Sequence, residues 1–347
     1  MGIPVTSDIF VGAGIPRKPR IGRGKRPKLR MLLSSAGRRV GLLRAFRSSA
    51  GALGIDLEVF ACDLQPEWSS ACMEADYAFA VPPAEGEGFI RTVLGFCERH
   101  AIGLVVPTID TELLCFAKAR DSFAMIGTQV AVGSSSLVEM ARDKLATAIF
   151  LAENDIPSPK TQSIEDFLST DGPCAWPMIA KPRHGSSSRG IHIVHDRRAV
   201  ENMECDEPYI FQEMLHGREF TVNLFFDEFG ELRCTVPHQR LKVRAGEVEK
   251  GVTTREPALS ELARKLARAL EARPFGALCF QAIMSDDGRA SMFEINARFG
   301  GGYPLAHRAG ATFTRWLIEQ RLNLPRTMRD DWQADVVMLR FDDAVFV

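Results

Sequence analysis

The stretch that decides the fold runs from Phe275 to Tyr303, FGALCFQAIMSDDGRASMFEINARFGGGY. Two apolar-rich runs flank Asp287-Gly288, a pair that is a strong signal for a two-residue hairpin turn. This turn predicts that Gln281 lies directly across from Glu294. Because side chains alternate between the faces of a strand, one face of the hairpin should be core. Its predicted members are Phe280, Ala282, Met284, Phe293, Ile295 and Ala297.

The other face of the predicted hairpin is polar. Carboxylate and amide oxygens are hard metal ligands, and a guanidinium group binds phosphoryl oxygens. The polar set therefore fits a magnesium triphosphate site, although a simple solvated face of an antiparallel sheet is the open alternative. The members of the set are Gln281, Glu294, Asn296 and Arg298.

The order Gln281, then Glu294-Ile295-Asn296-Ala297-Arg298, resembles the metal-binding signature of ATP-grasp enzymes, in particular those similar to the carbamoyl-phosphate synthetase large subunit. Gln281 departs from the commoner acidic residue of that fold but matches the synthetase-like branch. The resemblance implies an α/β protein with an ATP-grasp fold, in which two α+β subdomains clasp ATP, preceded by a Rossmann-like α/β domain.

Composition is that of an ordinary soluble globular protein. The chain has 347 residues, 46% hydrophobic and 25% charged, enough for two or three domains. No apolar run approaches the roughly 18 residues of a membrane span, so no membrane association is expected. Eight cysteines without a C-x-x-C pair favour buried thiols in a reducing cytoplasm over disulfides or a zinc site.

The amino-terminal segment differs from the rest of the chain. Residues 1–30 carry eight Lys or Arg and one acidic residue, with Pro and Gly interspersed. Residues 1–28 are therefore predicted to be a basic disordered tail. They lack the apolar core of a secretory signal. No nucleic-acid partner is expected, although contact of the tail with nucleic acid or an acidic partner stays open.

Residues 29–133 alternate buried strands with helices, which predicts a doubly wound α/β domain. Its first turn has Gly37 and Gly41 rather than G-x-G-x-x-G, which argues against a dinucleotide site. The resemblance implies that this domain helps to bind the acceptor substrate, with Arg38, Arg39 and Asp110 as candidates.

Residues 134–215 are expected to hold linking helices and a small lid subdomain. Residues 216–347 should form the carboxyl-terminal subdomain with the metal site and a final strand.

The central region contains a candidate phosphate loop. Lys181 ends a predicted strand and precedes the glycine-serine turn 184–190, whose backbone N–H groups could approach phosphate oxygens. This is not a Walker A loop, and a plain hairpin connection is the alternative. The resemblance also implies that Lys144, on a helix, reaches the nucleotide phosphates, and that the segment with Glu213 and Leu215 is a hinge that receives adenine. The predicted nucleotide-binding residues are Lys144, Lys181, Gly185, Ser186, Ser187, Ser188, Gly190, Glu213, Leu215 and Glu219.

A second basic region precedes the hairpin. Arg240, Lys242 and Arg244 alternate along one face of a predicted strand, before a polar loop that runs to Thr254. These cations could hold an anionic substrate or an acyl phosphate, or form a solvated face. Together with the resemblance, they complete the predicted site. Catalytic roles are assigned to Lys181, Arg240 and Arg298, and metal binding to Gln281, Glu294 and Asn296.

The resemblance implies a reaction. A carboxylate attacks the γ-phosphate of ATP, bound with Mg²⁺ or Mn²⁺, to give an acyl phosphate and ADP, and an amine then displaces phosphate. The expected activity is an ADP-forming carbon–nitrogen ligase for a small carboxylic acid and an amine, with amino acids among the candidates. Bicarbonate activation and a non-catalytic ATP-binding regulatory module are the alternatives. A homodimer stays open.

Overall fold

The structure is a computed structural model that describes residues 26–169, 175–185, 189–203, 205–271 and 274–346. Most of the predicted tail, residues 1–25, therefore lies outside the described part. The described chain forms two compact units. One comprises 26–132, 312–328 and 341–346, and the other comprises 133–311 and 329–340.

The first unit is built on a parallel five-stranded sheet in the order β3-β2-β1-β4-β5. Its strands are β1 (Lys28–Ser34), β2 (Asp56–Asp63), β3 (Tyr77–Ala80), β4 (Leu104–Pro107) and β5 (Gln129–Val130). Its helices up to that point are α1 (Val40–Leu53), α2 (Ser70–Glu74), α3 (Phe89–His100), α4 (Asp110–Lys118) and α5 (Arg120–Met125), with a 3₁₀ turn at Pro66–Trp68. Met31, Leu32 and Leu33 of the central strand are fully buried, as expected where helices cover both faces of a parallel sheet.

The second unit begins with helices and a small antiparallel sheet in the order β6-β9-β7-β8. The strands are β6 (Thr161–Ser163), β7 (Met178–Pro182), β8 (His192–Val194) and β9 (Tyr209–Glu213). The helices are α6 (Ser135–Arg142), α7 (Lys144–Glu153), α8 (Ile164–Ser169) and α9 (Arg197–Glu201). Phe167 stacks on Phe211 with ring centroids 5.1 Å apart, so this sheet has a small core of its own.

A larger antiparallel sheet follows, with six strands in the order β14-β13-β10-β11-β12-β15. The strands are β10 (Arg218–Phe226), β11 (Leu232–Arg244), β12 (Glu247–Thr253), β13 (Gly276–Met284), β14 (Ala290–Asn296) and β15 (Val337–Leu339). The accompanying helices are α10 (Pro257–Ala269) and α11 (Tyr303–Arg308), while α12 (Phe313–Arg321) belongs to the first unit.

One face of the six-stranded sheet forms the core of the second unit. Phe220 and Phe280 are fully buried on that face and belong to one apolar cluster with Leu262 and Leu266 of α10. The amphipathic helix predicted after Pro257 therefore covers the apolar face of the hairpin, as expected. The opposite face of the same sheet is left for polar side chains.

The hairpin turn differs from the two-residue turn predicted at Asp287-Gly288. Ser285 N donates to Arg289 O at 2.9 Å, so the loop has three residues, 286–288. Gly288 has φ +83°, the left-handed conformation that closes such loops. Met284 consequently pairs with Ala290, one position away from the predicted register.

A β-bulge then restores the predicted register. Gln281 pairs with Glu294 as expected, whereas Ala282 pairs with Met292, so Phe293 is the extra residue between them. Met292 is fully buried and takes the core position that Phe293 was predicted to fill. Phe293 is only partly buried, and its assignment to the core is wrong.

None of the helices in the described residues is long and apolar enough to cross a membrane.

Candidate active site

The register of the six-stranded sheet places polar side chains in a row across it. Thr221 of β10 pairs with Gln281 of β13 on one side and with His238 of β11 on the other. Gln281 in turn pairs with Glu294 of β14. Paired residues project from the same face of a sheet, so these side chains lie side by side on the face opposite the core.

Two of the three predicted metal ligands, Glu294 and Asn296, form a hydrogen-bonded series with Arg298. Asn296 Nδ2 donates to Glu294 Oε1 at 3.1 Å, and Arg298 Nη2 donates to Asn296 Oδ1 at 2.9 Å. Glu294, Gln281 and Arg298 are partly buried, and Asn296 is buried. The amide of Asn296 therefore orients both the carboxylate and the guanidinium group.

The chemistry of these donors fits a hard divalent cation. Mg²⁺ is commonly held by one or two carboxylates, with phosphate oxygens and water completing its coordination. The row offers the Glu294 carboxylate with the amide oxygens of Gln281 and Asn296. Across the residues that the structure describes, no group of three or more His, Cys, Asp or Glu side chains could enclose a metal by itself. Oxygens from a bound nucleotide and from water would complete the coordination of a metal at this position.

Glu219 and Arg240 form an ion pair beside the polar row. Arg240 Nε lies 3.1 Å from Glu219 Oε1, and its Nη1 donates to Thr221 Oγ1 at 3.3 Å. Burial raises the pKa of Glu219 above its usual value, against the lowering effect of Arg240, and the charge of Glu294 raises it further. The two predicted residues thus meet close to Glu294. The predicted neighbour Lys242 instead pairs with Glu249 at 3.0 Å.

Lys181 of the small sheet reaches the same region. Its ammonium group donates to Gln212 Oε1 at 2.8 Å and lies 5.4 Å from the centre of the Phe293 ring. Burial lowers the pKa of Lys181 to about 8, although the charge of Glu294 partly offsets this effect. Lys181 is 5% exposed, so its ammonium group is largely shielded from solvent next to the candidate metal ligands.

The junction of α6 and α7 contacts the predicted phosphate turn. Asp143 caps α7 by accepting from Leu145 N at 2.9 Å, and it also pairs with Arg183, whose Nη2 is 2.6 Å from Asp143 Oδ2. Lys144 Nζ donates to Gly185 O, and Lys144 N donates to Arg183 O at 3.1 Å. The predicted phosphate lysine therefore lies at the base of this turn.

The glycines that flank the turn are required by packing. A Cβ at Gly185 would lie 2.8 Å from Pro182 Cβ. Gly190 has φ +67°, and a Cβ there would lie 2.7 Å from the Tyr209 hydroxyl. The predicted Ser186, Ser187 and Ser188 lie outside the described residues.

The predicted adenine hinge connects the two antiparallel sheets. Glu213 ends β9, and its Oε2 accepts from Lys160 N at 3.3 Å while its own N donates to Lys160 O at 2.9 Å. Leu215 lies in the short segment between β9 and β10 and is partly buried. Glu213 thus belongs to the strand that carries Gln212, the partner of Lys181, and Leu215 follows that strand.

Sequence reasoning missed several residues of this polar face. Thr221 and Asn223 continue the alternation that begins at Glu219, a pattern that the sequence shows but that reads equally well as an ordinary strand. His238 is fully buried, and its Nδ1 lies 3.2 Å from Asn223 Nδ2. Burial, together with the charges of Arg240 and Arg340, lowers the pKa of His238 to about 3, so the imidazole is neutral.

The glycine turn 300–302 packs directly on this face. A Cβ at Gly302 would lie 2.6 Å from His238 Nε2, and one at Gly301 would lie 2.6 Å from the Glu247 carboxyl carbon. Arg340 secures the turn by donating to Gly301 O and to Glu247 Oε2. These glycines permit close packing of the segment that follows Arg298.

A parallel-sheet α/β unit followed by two antiparallel sheets is the architecture of an ATP-grasp protein with its preceding domain. The sequence agrees: residues 31–131 match the family model described as the PylC-like N-terminal domain, and residues 141–302 match the ATP-grasp domain. Residues 141–302 therefore form an ATP-grasp domain, preceded by a PylC-like N-terminal domain, and the predicted fold class is confirmed.

Solved structures share this fold at low sequence identity. The biotin carboxylase domain of 2-oxoglutarate carboxylase from Hydrogenobacter thermophilus, in complex with MgADP, ADP and bicarbonate, is 14% identical, with a TM-score of 0.69 over 88% of this chain and 73% of that chain. N5-carboxyaminoimidazole ribonucleotide synthetase from Thermotoga maritima is 18% identical, with a TM-score of 0.63 over 88% and 78%. L-amino acid ligase from Bacillus licheniformis is 17% identical, with a TM-score of 0.63 over 87% and 76%. Comparison with curated protein sequences gave no match.

Proposed function

We propose that this protein is an ATP-dependent carboxylate–amine ligase that forms an amide or peptide bond through an acyl phosphate and releases ADP and phosphate. The observation that carries the proposal is that Lys181 of the small sheet approaches Glu294 of the six-stranded sheet, beside which the Glu219–Arg240 ion pair also lies. Cations and carboxylates so arranged suit a metal-bound triphosphate. The L-amino acid ligase and the synthetase with the same fold are consistent with this reaction class.

The residues divide by chemistry. Glu294, Asn296 and Gln281 would hold Mg²⁺ or Mn²⁺, which supplies Lewis-acid neutralisation of phosphoryl oxygens when it is bound. Lys181, Lys144 and Arg298 provide fixed positive charge for the phosphates. Glu213 and Leu215 would border the adenine, and Glu219 the ribose or phosphates. Gly185 and Gly190 allow the phosphate turn to pack closely against Pro182 and Tyr209.

The ligase reaction proceeds in two displacements. A carboxylate oxygen of the acid bonds to the γ-phosphorus of ATP while the bond from that phosphorus to the bridging oxygen breaks, and ADP leaves with the electron pair. The amine nitrogen then bonds to the acyl carbon, phosphate leaves with its electron pair, and the amine loses a proton. Lys181 and Arg298 stabilise the phosphoryl charge in the first step. Arg240 is assigned to the acyl phosphate or the acid.

Bicarbonate in place of an organic acid is the second candidate, because the similar biotin carboxylase domain binds bicarbonate in its structure. Both candidates predict small-molecule partners, a carboxylic acid or bicarbonate and an amine. A homodimer is compatible with either. A non-catalytic ATP-binding module is the outcome to be excluded by measurement.

The decisive experiment measures ADP release from MgATP against a panel of amino acids, other small acids and bicarbonate, each with and without an amine. Stimulation by an acid together with an amine, and a product mass equal to the two minus water, would support the ligase. Stimulation by bicarbonate alone would favour the second candidate. Saturable ATP binding without stimulated release by any pair would reject both.

The variant Glu294→Gln tests the metal assignment. Removal of one metal carboxylate should lower kcat on the order of 100-fold, the scale at which a single electrostatic contact to a transition state acts. Thermal unfolding should change little, because Glu294 is only partly buried. Glu261→Gln on α10 is the matched control, since that exposed carboxylate pairs with Arg264 away from the polar face. Equal turnover in wild type and Glu294→Gln would refute the assignment.

A further inference from the structure

A cavity of about 410 Å³ lies in the unit built on the parallel sheet. It is lined by residues at the carboxyl ends of four strands, among them Ser35 after β1, Asp63 of β2, Val81 after β3 and Ile109 after β4. The strand order β3-β2-β1-β4-β5 reverses direction between β1 and β4. Open α/β sheets bind ligands at such a switch point, and the volume is that of a small-molecule site.

The two turns at the switch point are fixed by one buried carboxylate. Glu112 is fully buried, and its Oε2 accepts from Ser34 Oγ at 2.6 Å and from Ser35 Oγ at 2.8 Å. Its Oε1 accepts from Thr108 N at 2.6 Å. Ser35 has φ +46°, a conformation that costs energy for any residue but glycine and persists only where the surroundings enforce it. The cavity wall is therefore preorganised.

Most of the wall is apolar. Leu64 and Ile109 line the cavity, yet their side chains are 56% and 38% exposed. Val81, Pro82 and Pro83 extend the same apolar surface. A ligand that covers these side chains removes apolar surface from water, which favours binding of an aliphatic or aromatic body.

The charged groups of the wall have one sign. Asp63 and Glu85 line the cavity, and no lysine or arginine is among the lining residues in the described part of this unit. Arg39, in the neighbouring turn, donates to Thr108 O at 3.2 Å and is not part of the wall. Asp63 Oδ2 accepts from Gly37 N at 2.8 Å, which holds the carboxylate in place. The wall thus suits a cation and disfavours phosphate or carboxylate ligands.

We infer that this cavity binds a small primary amine that carries an aliphatic or aromatic body, with its ammonium group at Asp63 and Glu85. That this amine is the acceptor of the ligase rests on the proposed function. Binding itself does not, because the cavity and its charges belong to one unit of the chain.

Calorimetric titration of the full chain without nucleotide tests the inference. The probes are 2-phenylethylamine and isopentylamine. The comparators are 3-phenylpropionate, which replaces the amine by an acid, and ethylamine, which lacks the apolar body. Both probes should bind saturably, with each comparator at least about tenfold weaker, as expected for loss of a charge-assisted contact or of several buried methylene groups. Absence of saturable binding by either probe, or equal binding of 3-phenylpropionate, would overturn the inference.

Variants locate the binding site. Asp63→Asn keeps an oxygen acceptor for Gly37 N but removes the charge, so the probes should bind roughly tenfold or more weakly. Glu85→Gln is a second test, and because Glu85 is exposed this substitution should not affect folding. Glu67→Gln is the matched control, because this exposed carboxylate of the 3₁₀ turn does not line the cavity. Wild-type affinity in both Asp63→Asn and Glu85→Gln would show that the amines bind elsewhere.

Turnover separates this inference from the proposed function. The ligase proposal fails if amine binds at the cavity but no acid and amine pair stimulates ADP release. The cavity assignment fails if ligation proceeds with an amine whose affinity is unchanged in Asp63→Asn and Glu85→Gln.

Discussion

Lys181 should make ATP binding depend on pH in the weakly alkaline range. Burial lowers its pKa from 10.5 to about 8, with the charge of Lys144 adding to the effect and that of Glu294 opposing it. Only the protonated side chain can neutralise phosphate oxygens. Raising the pH through 8 therefore removes a cation from the nucleotide site before any ordinary lysine titrates.

The size of the effect follows from this pKa. The charged fraction of Lys181 in the free protein falls from about nine-tenths at pH 7 to about one-tenth at pH 9. Apparent affinity for ATP should fall in proportion, by roughly tenfold over those two pH units. Bound phosphates raise the pKa again, so ATP binding above pH 8 should take up a proton.

Folding stability should change in the opposite direction. The pKa of Lys181 is lower in the folded protein than in the unfolded chain, so between about pH 8 and 10.5 the unfolded chain binds more protons. The contribution of this group to the free energy of unfolding therefore rises with pH in that window. Opposite trends in stability and ATP affinity distinguish this titration from general alkaline denaturation.

The assay is calorimetric titration of the protein with MgATP from pH 6.5 to 10, without acid substrate. Lys181→Arg keeps its charge throughout this range and should abolish the loss near pH 8, whereas Lys181→Met should bind weakly and independently of that titration. Lys265→Met is the control, because Lys265 lies on α10 and donates to Asp155 O. A flat wild-type profile to pH 9.5, or an unchanged loss near pH 8 in Lys181→Arg, would refute the reasoning.

Two further predictions concern the backbone of the six-stranded sheet. Because the bulge places Met292 in the core and Phe293 outside it, Met292→Ala should lower the free energy of unfolding by about 2–5 kcal/mol and Phe293→Ala by about 1 kcal/mol, measured by urea denaturation. The reverse order would mean that the bulge is absent. Gly217 has φ +141°, and a Cβ there would lie 2.1 Å from Met284 O, so Gly217→Ala should destabilise the protein by about 1–3 kcal/mol. Gly95→Ala is its control: no atom lies within 4 Å of a Cβ at this position inside α3, and the change should stabilise by about 0.5–1 kcal/mol.

The hairpin shows how far local pattern can lead. Alternation of apolar and polar residues correctly predicted the two strands, their core face near Phe280 and the pairing of Gln281 with Glu294. The pairing was correct although the turn was not, because the extra loop residue and the bulge at Phe293 shift the register by one position in opposite senses. Apolar and polar side chains alternate on both sides of a single inserted residue. The alternation therefore does not show where in the strand that residue lies.

The site residues divide in a similar way. Glu294 and Asn296 lie on β14 and Arg298 follows it two residues later, so their mutual hydrogen bonds follow from proximity in the chain. The contact of Lys181 with Phe293 and the pairing of Glu219 with Arg240 join different elements. The roles predicted for these residues remain predictions until the variants are measured.

The sequence by itself determined the alternating α/β segment, the polar face of the hairpin and the amphipathic helix over its other face, because these depend on residues close together in the chain. Only the tertiary structure decided that Lys181 approaches Glu294 where it is shielded from solvent. It also decided that residues 312–328 join the first unit and that a cavity forms at the ends of four strands. Those features depend on the order and packing of strands. No local pattern of side chains specifies which distant strands become neighbours.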